Sequence, residues 1–217
     1  MPRKKLERFK HNALADNVIE EGKDNFYSVR KNWNLSYFHN NNPIVLELAC
    51  GRGEYTTGLA KLFPEKNFIG IDIKGARIWK GSTVALENNL KNVCFYRATI
   101  DFIDDYFDEN EVSEIWITFP DPRPKEKDEK RRLVNERYLH KYKKILKPGG
   151  VLHLKTDNID FFNYGLQELK KINPSQINYT YDLYHSDLIN EHYGIITKYE
   201  QKFLSEGKKI NYWKVIL

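Results

Sequence analysis

Two acids and two glycines between residues 47 and 72 have types and a spacing that could bind a ligand. Gly51 and Gly53 permit a tight turn and a close approach of the backbone to a ligand. The N–H groups of a helix that starts there would favour negative charge. Thr56 stands where a dinucleotide fingerprint has its third glycine, and Asp72 follows at about the interval of an acid that binds ribose hydroxyls. This spacing alone is compatible with a nicotinamide dinucleotide or with S-adenosylmethionine.

Glu47 distinguishes these two cofactors. It is a carboxylate within an apolar run, four residues ahead of the first glycine. A buried charge is costly unless it has a partner. The pyrophosphate of a dinucleotide would repel this carboxylate, whereas the ammonium of a methionine group would pair with it. Glu47 therefore favours S-adenosylmethionine, with a lysine or a backbone N–H as the alternative partner.

A third acid, Asp121, lies in a proline-rich segment that follows another apolar run. Prolines at 120, 122 and 124 stiffen the backbone around it. The basic run 127–132 follows at once, so an acid stands beside a site for phosphates. This arrangement fits a nucleic-acid base that is delivered by its phosphates. The alternative is a surface turn with a capping aspartate.

Positive charge is concentrated in one part of the chain. The net charge is +5, yet residues 123–147 hold eleven Lys/Arg against four Asp/Glu. Such a patch on an otherwise balanced protein is typical of a polyanion-binding surface, and a solvated helix face is the alternative. The N-terminus adds Arg3, Lys4, Lys5, Arg8 and Lys10. The residues expected to contact RNA phosphates are Lys127, Lys130, Arg131 and Arg132.

The elements that must position these residues alternate along the chain. Apolar runs predict strands at 44–49, 67–73, 93–97, 114–119 and 151–155, with further strands near 177–183 and 210–217. Helices are expected at 54–63, 76–90, 132–146 and 158–172. This alternation predicts a Rossmann-like α/β fold, with a mostly parallel seven-stranded sheet covered by helices on both faces. Ligands of such sheets bind at the carboxyl ends of the strands.

Composition limits the class of protein. The chain has 217 residues, of which 41% are hydrophobic, so we expect one packed domain over 31–217. A basic, partly disordered extension is expected over 1–30. There is no apolar run of about 20 residues for a membrane span. Cys50 and Cys94 have no disulfide or metal-ligand spacing. We expect a cytoplasmic, metal-free protein, a monomer or a homodimer.

Taken together, these motifs resemble those of the bacterial tRNA (guanine-N7)-methyltransferases, which are class I S-adenosylmethionine-dependent methyltransferases. The resemblance runs from about residue 44 to the C-terminus, and the proline-rich basic block is its most specific part. The matching segments are LELACGRGE (46–54), FIGIDI (68–73), FPDPRPKEKDEKRRL (119–133), KPGGVLHLKTDN (147–158) and TKYE (197–200).

The resemblance implies roles for individual residues. Those expected at the cofactor are Glu47, Gly51, Gly53, Asp72, Arg97, Ala98, Thr99 and Asp121. Those expected at the substrate are Lys125, Asp157, Thr197, Lys198, Tyr199 and Glu200. Asp121 is the expected catalytic residue, because it would touch both cofactor and base. The chain departs from the family at Arg123, where a Trp is usual, at Arg97, where an acid or polar residue is usual, and at Ala49, which replaces a glycine and is tolerable if the strand continues there.

The implied chemistry is methyl transfer to N7 of a guanine in tRNA. N7 carries a free lone pair, so it needs no general base, unlike an exocyclic amine. Catalysis can then be mostly alignment. Asp121 and Asp157 would accept hydrogen bonds from guanine N1–H and its amino group, although Asp157 could instead cap a helix. The N7 edge is hidden in an A-form helix, so the target should lie in a loop, by resemblance the variable loop.

Three other functions stay open. An exocyclic-amine methyltransferase would share the fold, but the segment 121–124 lacks the adjacent prolines and the aromatic residue of that class. A nicotinamide-dependent dehydrogenase is disfavoured by Glu47 and by the absent third glycine. A non-catalytic RNA-binding module is disfavoured by the intact acids at 47, 72 and 121.

Overall fold

The computed structural model describes residues 3–217 as a three-layer α/β domain, built on one eight-stranded sheet in the order β1-β4-β3-β2-β5-β6-β8-β7. The strands are β1 (Val18–Glu20), β2 (Ile44–Leu48), β3 (Asn67–Ile71), β4 (Val93–Arg97), β5 (Val112–Thr118), β6 (Leu146–Thr156), β7 (Gln176–Thr180) and β8 (Asn211–Ile216). The pairs from β1 across to β6 are parallel, and β8 is antiparallel to both β6 and β7.

Helices cover both faces of this sheet. They are α1 (Arg3–Leu14), α2 (Asn25–Ser28), α3 (Glu54–Leu62), α4 (Gly75–Glu87), α5 (Ile103–Tyr106), α6 (Glu136–Ile145), α7 (Ile159–Lys171) and α8 (Lys198–Ser205). Short 3-10 turns lie at Ile100–Phe102, Glu126–Arg131, Leu183–His185 and Ile189–His192, and a π-helical turn lies at Asn34–Phe38. No described helix is both long enough and apolar enough to span a bilayer.

The side chains of each strand point alternately to the two faces of the sheet, and this divides the core into two clusters. Leu46 and Leu48 of β2 pack in one cluster with residues of α6 and α7. Val45, on the opposite face, packs in the other cluster with residues of α3 and α4. Side chains of a strand point alternately to opposite faces, so Glu47 lies on the α3 side with Val45. Each face is apolar because both are covered, which is why these strands are continuous hydrophobic runs.

The expectation for the N-terminus was wrong for the described part of residues 1–30. Residues 3–14 form α1, which packs on α4, and β1 pairs with β4 as an eighth strand. Asn12 Nδ2 donates to the Gly75 carbonyl at 2.8 Å, and Asn17 Nδ2 donates to the Ser82 carbonyl at 3.1 Å. A three-residue strand is too short to give a periodic pattern, so the sequence did not indicate it. Met1 and Pro2 lie outside the described residues.

The register brings the carboxyl ends of the central strands together. Leu48 of β2 pairs with Ile71 of β3 and with Ile117 of β5, so these three strands end at one level. Thr118 of β5 pairs in turn with Lys155 of β6. The residues that follow these strands therefore meet at one edge of the sheet.

Candidate active site

A cavity of about 720 Å³ opens at this edge. Its lining comes from the ends of β2 and β5, the N-terminal parts of α3 and α4, α8, and one residue of α1. The volume is in the range of small-molecule and cofactor sites. The cavity lining includes Arg8, Glu47, Ala49, Gly51, Arg52, Glu54, Arg77, Trp79, Lys80, Thr118, Phe119, Thr197, Lys198, Tyr199 and Lys202.

Glu47 lies at the floor of this cavity and is only 3% exposed. Its Oε2 accepts the Thr56 N–H at 2.8 Å and the Thr56 hydroxyl at 2.5 Å, and its Oε1 accepts the Thr118 hydroxyl at 2.9 Å. Burial raises the pKa of Glu47 to about 7, against these hydrogen bonds, which lower it. Among the described side chains no cation pairs with it. The carboxyl group is thus held in place by neutral donors, and a cationic ligand would stabilise its ionised form.

The turn after β2 corrects two expectations. Ala49 adopts φ 55°, so the strand ends at Leu48 and the backbone turns where a glycine would be relaxed. Gly51 has φ 56°, and a Cβ there would meet only the Ala49 carbonyl oxygen, at a van der Waals distance of 3.9 Å; Gly51 lines the cavity, where its backbone is open to a ligand. Gly53 does not line the cavity: a Cβ there would lie 2.4 Å from the Phe95 ring. Gly53 is therefore required by packing between α3 and the sheet.

Asp72 directly follows β3 and is 7% exposed. Its Oδ2 accepts the Gly51 N–H at 2.9 Å, and its Oδ1 accepts the Lys74 N–H at 2.7 Å. The carboxylate fixes the glycine turn, and each oxygen keeps a lone pair for a further donor. Asp72 does not cap α4, because the residue before that helix is Lys74.

The segment 97–99 lies in a different place from Glu47. Arg97, Ala98 and Thr99 line a second cavity of about 700 Å³, together with Ile73, the residue after Asp72. The Arg97 guanidinium pairs with Glu20 at 3.0 Å and donates to the Ile73 carbonyl at 3.3 Å. Asp72 thus stands between the two cavities, since the turn that it fixes lines the first and its neighbour lines the second.

Asp121 lies beyond β5 on a strained turn. Phe119 and Arg123 have φ 48° and 45°, values that non-glycine residues adopt at a cost of roughly 1–3 kcal/mol. Asp121 is exposed, and its Oδ1 accepts the Arg123 N–H at 3.2 Å. Thr118 and Phe119 line the first cavity, but Asp121 does not. The structure therefore brings Asp121 to the mouth of the site and not to its floor.

Asp157 follows the neighbouring strand, β6. Its Oδ2 pairs with the ammonium of Lys208 at 2.9 Å, and its Oδ1 has no hydrogen-bond partner among residues 3–217. The alternative role as a helix cap was wrong. Asn158 caps α7, because its side chain accepts the Phe161 N–H at 2.8 Å.

The TKYE segment contributes two kinds of residue. Lys198 and Tyr199 are exposed and line the first cavity with Thr197. Thr197 and Glu200 form a reciprocal capping box at the start of α8. Glu200 is fully buried, and its Oε1 lies 2.6 Å from the ammonium of Lys155, which is also fully buried. Glu200 therefore has no surface for a substrate here, contrary to the expectation, and it supports the residues that do.

The basic cluster, defined as Lys125, Lys127, Lys130, Arg131 and Arg132, surrounds the 3-10 turn at Glu126–Arg131. Lys125, Lys127 and Lys130 are exposed and have no polar partner among the described residues. Arg131 forms an exposed pair with Asp128 at 3.4 Å. Arg132 differs, because its Nε donates to the Arg123 carbonyl at 3.1 Å and its guanidinium lies 4.5 Å from the Tyr164 ring centroid. Arg132 thus secures the Asp121 turn as well as adding charge.

Sequence reasoning missed three residues that hold this site. Thr56 was read as a missing glycine, yet it donates twice to Glu47. Thr118 of β5 donates a further hydrogen bond to the Glu47 carboxylate, and Lys155 of β6 neutralises the charge of Glu200. A hydroxyl in the first turn of the helix after a buried acid was the one available signal. The other two contacts join residues 71 and 45 positions apart in the chain, and no local pattern indicates them.

This fold and this cavity define the class of protein, a Rossmann-like class I methyltransferase. A solved structure titled as the 16S rRNA methyltransferase KamB has the same fold, with a TM-score of 0.63 at 13% identity over 93% of this chain and 98% of that one. Residues 41–213 match the family model described as "Putative methyltransferase".

Curated relatives identify the family within this class. A tRNA (guanine-N(7)-)-methyltransferase of Cytophaga hutchinsonii is 46% identical over 99% of this chain and 97% of its own length. Those of Christiangramia forsetii and Bacillus subtilis are 48% and 33% identical, over 96% and 94% of this chain and 95% of each relative. The chain belongs to the tRNA (guanine-N7)-methyltransferase family. Residues 3–217 contain no group of three or more His, Cys, Asp or Glu side chains placed to hold a metal ion.

Proposed function

We propose that this protein transfers a methyl group from S-adenosylmethionine to N7 of a guanine in the variable loop of tRNA. The observation that carries the proposal is Glu47, a buried carboxylate that has no cationic partner among the described side chains and faces the cavity at the strand ends. We propose in addition that the protein acts in the cytoplasm.

The residues present fit this cofactor. Glu47 would pair with the ammonium of the methionine group, and Gly51 would let the backbone approach it. Asp72 would accept from the ribose hydroxyls with the lone pairs that its two backbone donors leave free. The cavity lined by Ile73 and residues 97–99 would take the adenine. When bound, S-adenosylmethionine supplies a methyl group that its sulfonium has already activated.

The guanine would be oriented by the two acids at the mouth of the site. Asp121 and the free Oδ1 of Asp157 are acceptors that follow the ends of two adjacent parallel strands, β5 and β6, and guanine presents two adjacent donors, N1–H and the amino group. Neither acid removes a proton, because N7 has none. Both would stabilise the positive charge that develops on the base as the methyl group arrives. Lys125, Lys198 and Tyr199 would contact the nucleotide around the base, and the basic cluster would hold phosphates.

The decisive experiment is single-turnover methylation of unmodified tRNA, with the product nucleoside identified by mass spectrometry. The wild-type protein should yield N7-methylguanosine. Asp157→Asn turns half of an acceptor into a donor that faces the donors of the base, so the rate should fall about tenfold to a hundredfold. Asp121→Ala should lower the rate further and still yield the same product. Asp160→Asn, an equal change at an exposed position three residues away, should keep the wild-type rate.

Two results would overturn this proposal. One is a product methylated at an exocyclic nitrogen. The other is complete loss of product in the Asp121→Ala variant at every pH, because an orienting residue leaves a slow residual reaction whereas an essential proton acceptor leaves none.

A further inference from the structure

Six cationic side chains surround the mouth of the first cavity, outside the basic cluster that the sequence indicated. They come from four separate segments: α1, the turn after β2, α4 and α8. They are Arg8, Arg52, Arg77, Lys80, Lys198 and Lys202, and we call them the cationic rim. Between Arg8 and Lys202 lie almost two hundred positions of sequence, so only the fold assembles the rim.

The charges of the rim are largely uncompensated by the protein. Lys202 makes an exposed pair with Glu206 at 3.6 Å, the one ion pair of the rim among the described residues. Of the two acids in the cavity lining, Glu47 is buried at the floor, and Glu54 accepts the Lys198 N–H at 3.1 Å. Like charges gathered at a concave surface raise the local potential and attract anions.

The rim includes a residue from α1 because that helix is fixed in place. Arg8 lies over the Trp79 ring of α4, 4.9 Å from its centroid, and His11 Nε2 lies 3.1 Å from the Ser82 hydroxyl. Arg77 and Lys80 are three residues apart on α4, so they share one face of the helix. Both are exposed.

We propose that the cationic rim holds the phosphates on either side of the target nucleotide while its base enters the cavity. This inference rests on the proposed function, which supplies the polyanion. Phosphate contacts fix the register of a nucleic acid and leave the reading of the base to groups inside the site. The carboxylate of the methyl donor is one charge and engages one or two cations, so it leaves most of the rim to another anion.

The rim and the basic cluster flank the strand ends from opposite faces of the sheet. Ile78 of α4 packs in the core cluster on one face, and Tyr138 of α6, which follows the basic cluster in the chain, packs in the other. An RNA strand that crosses the active site would therefore meet cations before and after the cavity. Tyr199, next to Lys198 of the rim and 51% exposed, offers a ring on which a base can stack.

The test compares two double variants that remove the same charge. Arg77→Ala/Lys80→Ala removes two cations from the rim, and alanine is compatible with the α4 helix. Lys61→Ala/Lys91→Ala removes two exposed lysines near the amino ends of the strands, at the far edge of the sheet. Binding of an unmodified tRNA transcript is measured by titration at several salt concentrations, and affinity for S-adenosylhomocysteine is measured by calorimetry. Circular dichroism confirms that each variant is folded.

We expect the rim variant to bind every tRNA more weakly and to reduce the slope of log affinity against log salt by about one to two units. The Lys61/Lys91 variant should keep the wild-type slope, and Arg77→Lys/Lys80→Arg, which keeps the charge, should too. Affinity for S-adenosylhomocysteine should not change.

Equal slopes in the two alanine double variants would overturn the rim proposal, and so would a loss of S-adenosylhomocysteine affinity without any change in tRNA binding. Failure of the proposed function would look different, because the wild-type protein itself would then neither bind nor methylate tRNA, and both proposals would be rejected together.

Discussion

Glu47 in the cavity lining and Glu200 behind it are both buried carboxylates, and their surroundings differ. Glu47 is 3% exposed and accepts hydrogen bonds from two threonines, with no cation beside it among the described side chains. Glu200 is fully buried and lies 2.6 Å from the ammonium of Lys155. One charge is left open toward the cavity, whereas the other is neutralised inside the protein.

The difference separates a binding residue from a supporting one. A carboxylate without a counter-charge is unstable in the folded protein, which is why burial raises the pKa of Glu47 to about 7. A cationic ligand would relieve that instability. Lys155 already relieves it for Glu200, so Glu200 can cap α8 and hold Lys198 and Tyr199 at the cavity. Three variants and one pH titration of the wild-type protein test this comparison and the turn beside Glu47.

The largest effect is expected where the internal pair is broken. Lys155→Met leaves the Glu200 charge buried without a partner, and the free energy of unfolding should fall by about 3–5 kcal/mol in urea denaturation. The double variant Lys155→Met/Glu200→Gln removes both charges and should recover most of that loss. As a control, Lys208→Ala breaks an exposed pair and should change stability little. If the Lys155→Met variant is as stable as the wild type, the pair of Lys155 and Glu200 does not support the site.

Glu47→Gln should have the opposite effect to Lys155→Met: it should weaken cofactor binding and leave the stability of the protein unchanged. Its amide oxygen can still accept from Thr56, and its amino group can donate to the Thr118 hydroxyl, so the fold should be preserved. The loss of charge should weaken S-adenosylmethionine binding about tenfold to a hundredfold in calorimetry, as for a lost hydrogen bond to a charged group. The stability of the ligand-free protein at pH 8 should not fall. Unchanged affinity would remove Glu47 from the cofactor site.

The pH dependence of the wild-type protein follows from the same carboxylate. Its pKa is raised in the folded state, so the unfolded chain releases the proton first, and the contribution of Glu47 to stability decreases between pH 4.5 and about 7. The ionised form binds the ammonium, so cofactor affinity should rise roughly tenfold from pH 5.5 to pH 7. Titrations over this range should lose that rise in Glu47→Gln. A rise of equal size in the variant would assign it to another group.

The smallest effect concerns the strained turn that brings the backbone to the cavity. Ala49 has φ 55°, so Ala49→Gly should relieve strain, offset in part by the greater freedom of glycine in the unfolded chain. The net gain in unfolding free energy should be at most about 1 kcal/mol in thermal denaturation. Ala13→Gly, in the last turn of α1, should instead destabilise by about 0.5–1 kcal/mol. A destabilised Ala49→Gly variant would show that the turn is not strained.

Much of the frame of the site was predictable from the sequence. The strand that contains Glu47 and the strands that end just before Asp72 and Asp157 lie where their apolar runs indicated, because a strand covered on both faces must be apolar along its length. The glycine turn between β2 and α3 was also predictable, because it depends only on residues that are neighbours in the chain. Its interpretation was only half right, since Gly51 faces the cavity and Gly53 is required by the Phe95 ring.

The alternation of strands and helices, the buried acids at the strand ends and the strong positive charge after β5 were therefore determined by the sequence alone, since each depends on residues that are close together in the chain. The tertiary structure decided which of these charges have no counter-charge in the protein. Thr118 reaches Glu47, Lys155 neutralises Glu200, and α1 brings Arg8 to the cavity only because strands and helices far apart in the sequence pack side by side. Partners across such distances leave no periodic signal, so the separation of binding residues from supporting residues is a property of the folded chain.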